Sequence, residues 1–211
     1  MRLHDALNQI AEIRQQMARA QVFRGYRSAT TAFSAVMALV AAGLQYKWFG
    51  PGPRDAQIDA LWVWLAAAGV SLAVVGAEMA LRYRRSGASP LARETTLLAV
   101  EQFAPCLVAG ATLTYGVVEW AGNSINLLPA IWCTLFGLGV FASRRLLPRG
   151  TFAVGAWYLL AGMACVAVRT QVPFSAQMAV AFGGGQLLAA GVLYWTLERT
   201  PAPRSVEPPE P

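Results

Sequence analysis

Six stretches of this chain, residues 28–48, 59–81, 95–118, 127–143, 151–168 and 174–197, run for seventeen residues or more with at most two charged side chains each. A helix rises about 1.5 Å per residue and a bilayer's hydrocarbon core is about 30 Å thick, so blocks of this length cross it. Within hydrocarbon no water satisfies the backbone, and a single segment closes its own N–H···O=C bonds only as a helix. Composition agrees: 56% of the residues are AVILMFWYC and 13% are charged, against about a quarter charged in a soluble domain. That excludes a soluble enzyme, a disordered chain, a disulfide scaffold and a nucleic-acid-binding domain. The fold class read from the sequence is all-α: a polytopic membrane protein, a compact bundle of six transmembrane helices.

Turn chemistry separates the blocks. Gly50-Pro51-Gly52-Pro53, Ser86-Gly87-Ala88-Ser89-Pro90, Gly122-Asn123-Ser124, Pro148-Arg149-Gly150 and Pro173 fall between them, and links this short predict antiparallel neighbours. Orientation follows from the cationic residues. Fourteen of the seventeen Lys and Arg lie on one side, in the N-terminal segment, the links 82–93 and 144–149 and the tail; Lys47, Arg54 and Arg169 lie on the other. By the positive-inside rule the first side, with both termini, is cytoplasmic. The net charge of +6 is thereby read as an orientation signal and not as a nucleic-acid footprint. Aromatic residues gather at the block ends, among them Tyr46, Trp48, Trp62, Trp64, Tyr115 and Trp120 on the outer side, as interfacial anchors do.

Residues 1–27 precede the first span. Leu3, Leu7, Ile10, Ile13 and Met17 recur at helical spacing with polar residues between them, which predicts an N-terminal cytoplasmic amphipathic helix over residues 3–20. Such a helix lies on the lipid surface or docks on the bundle; alternatively it contacts a cytoplasmic protein partner or a second copy of itself. The expected partners are thus the lipid bilayer and a contact through 3–20, with no nucleic acid. The tail 198–211 holds five prolines and little apolar bulk, and is expected to be disordered.

Polar groups inside a span are the informative ones, because each is costly to hold there. Glu78 stands four residues before Arg82, the spacing of an intrahelical ion pair. Glu101 stands about two turns, roughly 9 Å, inside the third block and four residues before Pro105, whose ring removes a helical donor and kinks the helix. A carboxylate at a kink is a candidate proton or ion site, together with Glu78 if the two approach; the competing reading pairs Glu101 with an arginine of the 82–93 link. Gly183-Gly184-Gly185 is either a flexible, partly unwound stretch or, with Gly69, Gly76, Gly110, Gly116, Gly137, Gly139, Gly155 and Gly162, a place where helices approach closely. The three cysteines, Cys106, Cys133 and Cys165, fall in three different blocks without metal-ligand spacing. The only histidine, His4, lies outside the spans. No catalytic residues, metal site or cofactor are expected.

Phe23-Arg24-Gly25-Tyr26-Arg27, Val100-Glu101-Gln102-Phe103-Ala104-Pro105, the run Leu135 to Ser143 continuing to Pro148, Gly155 to Gly162, and Gly185-Gln186-Leu187-Leu188 together resemble an uncharacterised family of bacterial six-span integral inner-membrane proteins, over nearly the whole chain. The resemblance implies a bacterial inner (plasma) membrane and brings no activity with it. The expectation is therefore a non-enzymatic structural, scaffolding or regulatory membrane component. The alternative is a small proton- or cation-coupled transporter or channel that uses Glu101, with Gly183–Gly185 as its moving element.

Overall fold

The computed structural model describes residues 28–50, 54–85, 90–145 and 147–198. The expected helix over 3–20 and the tail beyond Glu198 lie outside them. The described residues are helical almost throughout: α1 (Ser28–Trp48), α2 (Arg54–Arg85), α3 (Pro90–Trp120), α4 (Leu128–Ala142), α5 (Thr151–Val168), α6 (Phe174–Met178) and α7 (Gly184–Leu193). A 3-10 segment (Gly122–Leu127) leads into α4, where a tight link was expected, and a 3-10 turn (Ser143–Arg145) leaves it. Two π-helical segments, Ala179–Gly183 and Tyr194–Glu198, join and extend α6 and α7 into one rod.

Local chemistry sets the ends. Gly50 closes α1 at φ 52°, with the Phe49 and Gly50 amides both donating to the Gln45 carbonyl at 3.0 and 3.1 Å; this left-handed stop suits glycine because no Cβ is present to clash. Pro129 sits in the first turn of α4, where a missing N–H costs nothing. Helix α2 includes the polar turn Arg54–Gln57 ahead of its apolar block.

Five of the helical stretches are long and apolar enough to cross a membrane: Ser28–Trp48, Ala56–Leu81, Ser124–Ala142, Thr151–Val168 and Phe174–Thr196. They are the helices of a multi-pass membrane protein. Helix α3 has the length, 31 residues, but carries Glu101, Gln102, Thr112, Thr114 and Glu119 along it.

The helices pack in a row. Helix α2 packs on α1, α1 on the α6–α7 rod, the rod on α5, α5 on α4 and α4 on α3, which leaves α2 and α3 outermost with no packed face between them among the described residues. The α4–α5 contact is the tightest. A Cβ on Gly137 would stand 3.1 Å from the Gly155 carbonyl, and one on Gly162 would stand 3.2 Å from the Ala130 carbonyl; only hydrogens at these positions let the two backbones meet. Four rings tie the row together at its middle. Phe136 meets Phe103 and Phe182 edge to face and Tyr158 at a tilt, with centroids 5.2, 5.8 and 4.6 Å away.

At the end of the bundle formed by the 122–127 segment, Leu61, Trp64, Ile125, Leu128, Phe174 and Met178 form a common core with the alanines of α1. Trp64, expected among the interfacial anchors, is buried there and donates its indole N–H to Gln45 Oε1 at 2.7 Å. An indole with a buried acceptor sits in a core as well as an anchor sits at a headgroup. Tyr46, Trp48, Trp62, Tyr115 and Trp120 are exposed. Gln45→Leu is expected to cost about 1–2 kcal/mol, because it strands a buried donor, and Gln45→Leu with Trp64→Phe to recover much of it; unfolding titrations in mixed micelles of all four forms check this.

Candidate functional site

Helix α3 is oriented by one ring. Phe103 fills the notch at Gly139, where a Cβ would stand 2.6 Å from its ring. A helix turns about 100° per residue, so a side chain two positions away points to the opposite face, and Glu101 is exposed. Two more contacts set the register with α4: Leu135 lies over Gly110, and the Trp132 indole donates to Thr114 Oγ1 at 2.8 Å. Paired antiparallel in this way, Glu101 comes level with Phe141–Ala142, the last turn of α4 before Ser143–Arg145. It therefore stands beside the turn that ends α4. Beside it Gln102 is half-buried, with its Oε1 lacking a hydrogen bond; Ser143, at the same end, is buried and its Oγ also lacks one.

Glu78 is half-buried on α2 and has a polar partner. Among the described residues α2 and α3 share no extended contact, and the structure does not join Glu78 and Glu101 into one site.

The glycine triplet is helical, Gly183 and Gly184 having φ −60° and −64°. Each glycine receives a different side chain: Leu39 of α1 at Gly183, Trp157 at Gly184 and Tyr158 at Gly185, with built Cβ atoms 2.9, 2.9 and 2.5 Å from them. The turn before it is widened to π-helical, and the Trp157 indole donates to the Ala181 carbonyl inside it at 3.0 Å. A π turn shifts the backbone ladder, and this indole serves a carbonyl there.

Two faces are left uncovered on the outermost helices. On α2, Asp59, Trp62, Ala66, Gly69, Ala73, Gly76 and Ala80 recur at steps of three and four and are all exposed. Among the described residues nothing stands within 4 Å of a Cβ built at Gly69 or Gly76, so these two glycines serve no contact there. On α3 the same spacing runs through Leu98, Glu101, Pro105, Val108, Thr112, Tyr115 and Glu119, again all exposed. Thr112 is satisfied by the Val108 carbonyl at 2.9 Å. Among the described residues Glu101 has no hydrogen bond or ion pair.

Sequence reasoning passed over two features. Gln45 and Gln177 are buried amides; a lone glutamine in an apolar run was the available signal. Cys133 and Cys165 are brought side by side, which sequence spacing alone does not show. No group of three or more metal-ligating side chains occurs among the described residues. No protein-family profile, curated protein or solved structure matches the chain.

Proposed function

We propose that the chain is a six-span component of a bacterial inner membrane, with both termini cytoplasmic, that performs no chemistry of its own and acts by holding other membrane helices: a structural, scaffolding or regulatory element. The observation that carries this reading is the uncovered small-residue seam of α2. Rows of small residues let a second helix approach closely enough for packing and weak backbone contacts, and Gly69 and Gly76 meet nothing among the described residues of their own chain. The seam of α3 adds a carboxylate, Glu101, able to take a donor from a neighbour. The arginine asymmetry supports the orientation, and the resemblance to bacterial six-span proteins supports the membrane assigned. The helix over 3–20 offers a further contact on the cytoplasmic side.

A photo-reactive residue at Ala73 or Val108, in cells expressing the full chain, is expected to give discrete protein adducts, whereas one at the exposed Val166 of α5 gives none. Gly76→Leu is expected to abolish the Ala73 adduct and leave the unfolding midpoint unchanged, since the position is open. Identical lipid-only labelling at all three sites would defeat the proposal.

The π-helical turn and glycine triplet favour a second reading, a small proton- or cation-coupled transporter. With Glu101 on the outside of the row, such a path would run between copies. Flux through reconstituted vesicles that Glu101→Gln eliminates is the result this reading requires.

A further inference from the structure

The tight α4–α5 seam brings two of the three cysteines together. Cys133 lies five residues into α4 and Cys165 three residues before the end of α5, both at the bundle end formed by the 122–127 segment. Gly162, one turn before Cys165, lets that turn of α5 rest on Ala130 and Thr134, the residues flanking Cys133; a Cβ there would be 3.2 Å from the Ala130 carbonyl and 2.8 Å from Thr134 Oγ1. Both cysteines are buried and reduced, 0% and 5% exposed, and their thiols are within S–H···S hydrogen-bonding reach of each other.

Two thiols held in contact across a glycine-clasped helix pair have few reactions open to them. Among the described residues no third His, Cys, Asp or Glu joins them, so a tetrahedral metal site lacks its donors. The surroundings are apolar: Val154, Tyr158 and Ala181 form one core cluster with Cys133. A product without charge is favoured there over one with charge. A disulfide is such a product, and it needs Cα atoms about 4.4–6.8 Å apart, a separation that backbones meeting through glycine can reach.

We propose that Cys133 and Cys165 form a thiol–disulfide site, a reversible covalent tie between α4 and α5 whose oxidant is a low-molecular-weight disulfide. In the exchange, the sulfur of one cysteine displaces a thiol from the oxidant to give a mixed disulfide. The second cysteine's sulfur then attacks the protein-bound sulfur and releases the other thiol. One S–S bond is broken and one made; the two thiol protons and the two electrons leave on the released thiols. Neither step changes the net charge of the core. Cys106, on α3 and half-buried, has no part in it.

The test uses the full wild-type chain in detergent, with 4,4′-dithiodipyridine as the disulfide, followed by non-reducing peptide mapping. The expected result is a Cys133 peptide joined to a Cys165 peptide with no reagent attached, while Cys106 carries the reagent; dithiothreitol returns all three thiols. Cys106→Ser keeps the joined peptides, and Cys133→Ser leaves Cys165 as a reagent adduct. Recovery of Cys133 and Cys165 as separate adducts, as unreacted thiols, or joined to Cys106 would overturn the assignment. Because the map is read on the wild-type chain, no variant has to fold for the result to count, and it does not depend on the orientation or partners proposed above.

Discussion

Tyr158→Ala is expected to lower the unfolding midpoint of the detergent-solubilised protein by roughly 6–12 °C, from a loss of about 3 kcal/mol. The ring is fully buried. It is stacked on Phe136 at 4.6 Å and on Phe182 at 5.3 Å, and it closes the space over Gly185. Removing it opens a cavity bounded by α4, α5 and the α6–α7 rod, three elements that cannot all move in to fill it. In a micelle the unfolded helices present their apolar faces to acyl chains, so little of the usual transfer energy is at stake and the packing loss carries the effect. The figure is accordingly at the low end of what an aromatic-to-alanine change costs in a soluble core. Tyr158→Phe, which keeps the stack, should remain near the wild type. A shift under about 2 °C for the alanine variant would show that the four rings are not what joins the helices.

Gly162→Ala should destabilise by about 1–3 kcal/mol, as overpacking does, although alanine is the better helix former by about 1 kcal/mol. The reason is what the methyl group meets. A flexible side chain can swing aside, but the Ala130 carbonyl at 3.2 Å is backbone, so α4 and α5 must separate. Gly43→Ala and Gly191→Ala, with nothing within 4 Å, are the matched controls and should be neutral or stabilising. Thermal melts of the three variants measure this. The same separation draws Cys133 from Cys165, so Gly162→Ala should also slow their joining by the disulfide reagent; a full-strength link in a variant that has lost stability would mean that the thiols meet by some route other than the clasp.

The extent to which the sequence revealed this structure depends on what kind of signal each part left. The bounds of α1 and α5 are those read from the apolar blocks, because Gly50 and the Pro148–Gly150 turn interrupt the chain sharply. That the chain forms several long apolar helices was legible for the same reason. Their lateral order was not. Helices that are apolar on every side give no stripe to say which face meets which neighbour, so nothing marked α2 and α3 as the outermost pair. The level of Glu101 against α4 was not legible either, because block boundaries count residues along one helix, whereas that pairing is set by Phe103 and Thr114. The glycines divided in a way no spacing rule could foresee: Gly137, Gly155 and Gly162 clasp helices within the chain, while Gly69 and Gly76 face outward. Trp64 has an anchor's place in the sequence and is buried because Gln45, one helix away, accepts the hydrogen bond of its indole N–H.

The wide turn at Ala179–Gly183 is a store of twist. It houses one residue more than an ordinary helical turn, and so cancels a rotation of about 100° that the extra residue would otherwise impose on everything after it. With the turn open, Gly184 and Gly185 point at Trp157 and Tyr158. Were it to close without losing a residue, the segment from Gly184 to Glu198 would swivel by that angle, and bulkier side chains would be driven against the two aromatics. The indole bonded to the Ala181 carbonyl and the ring lodged at Gly185 thus act as paired latches on a single rotor. Deleting Val180 would release the stored twist while leaving the faces of the rod in phase.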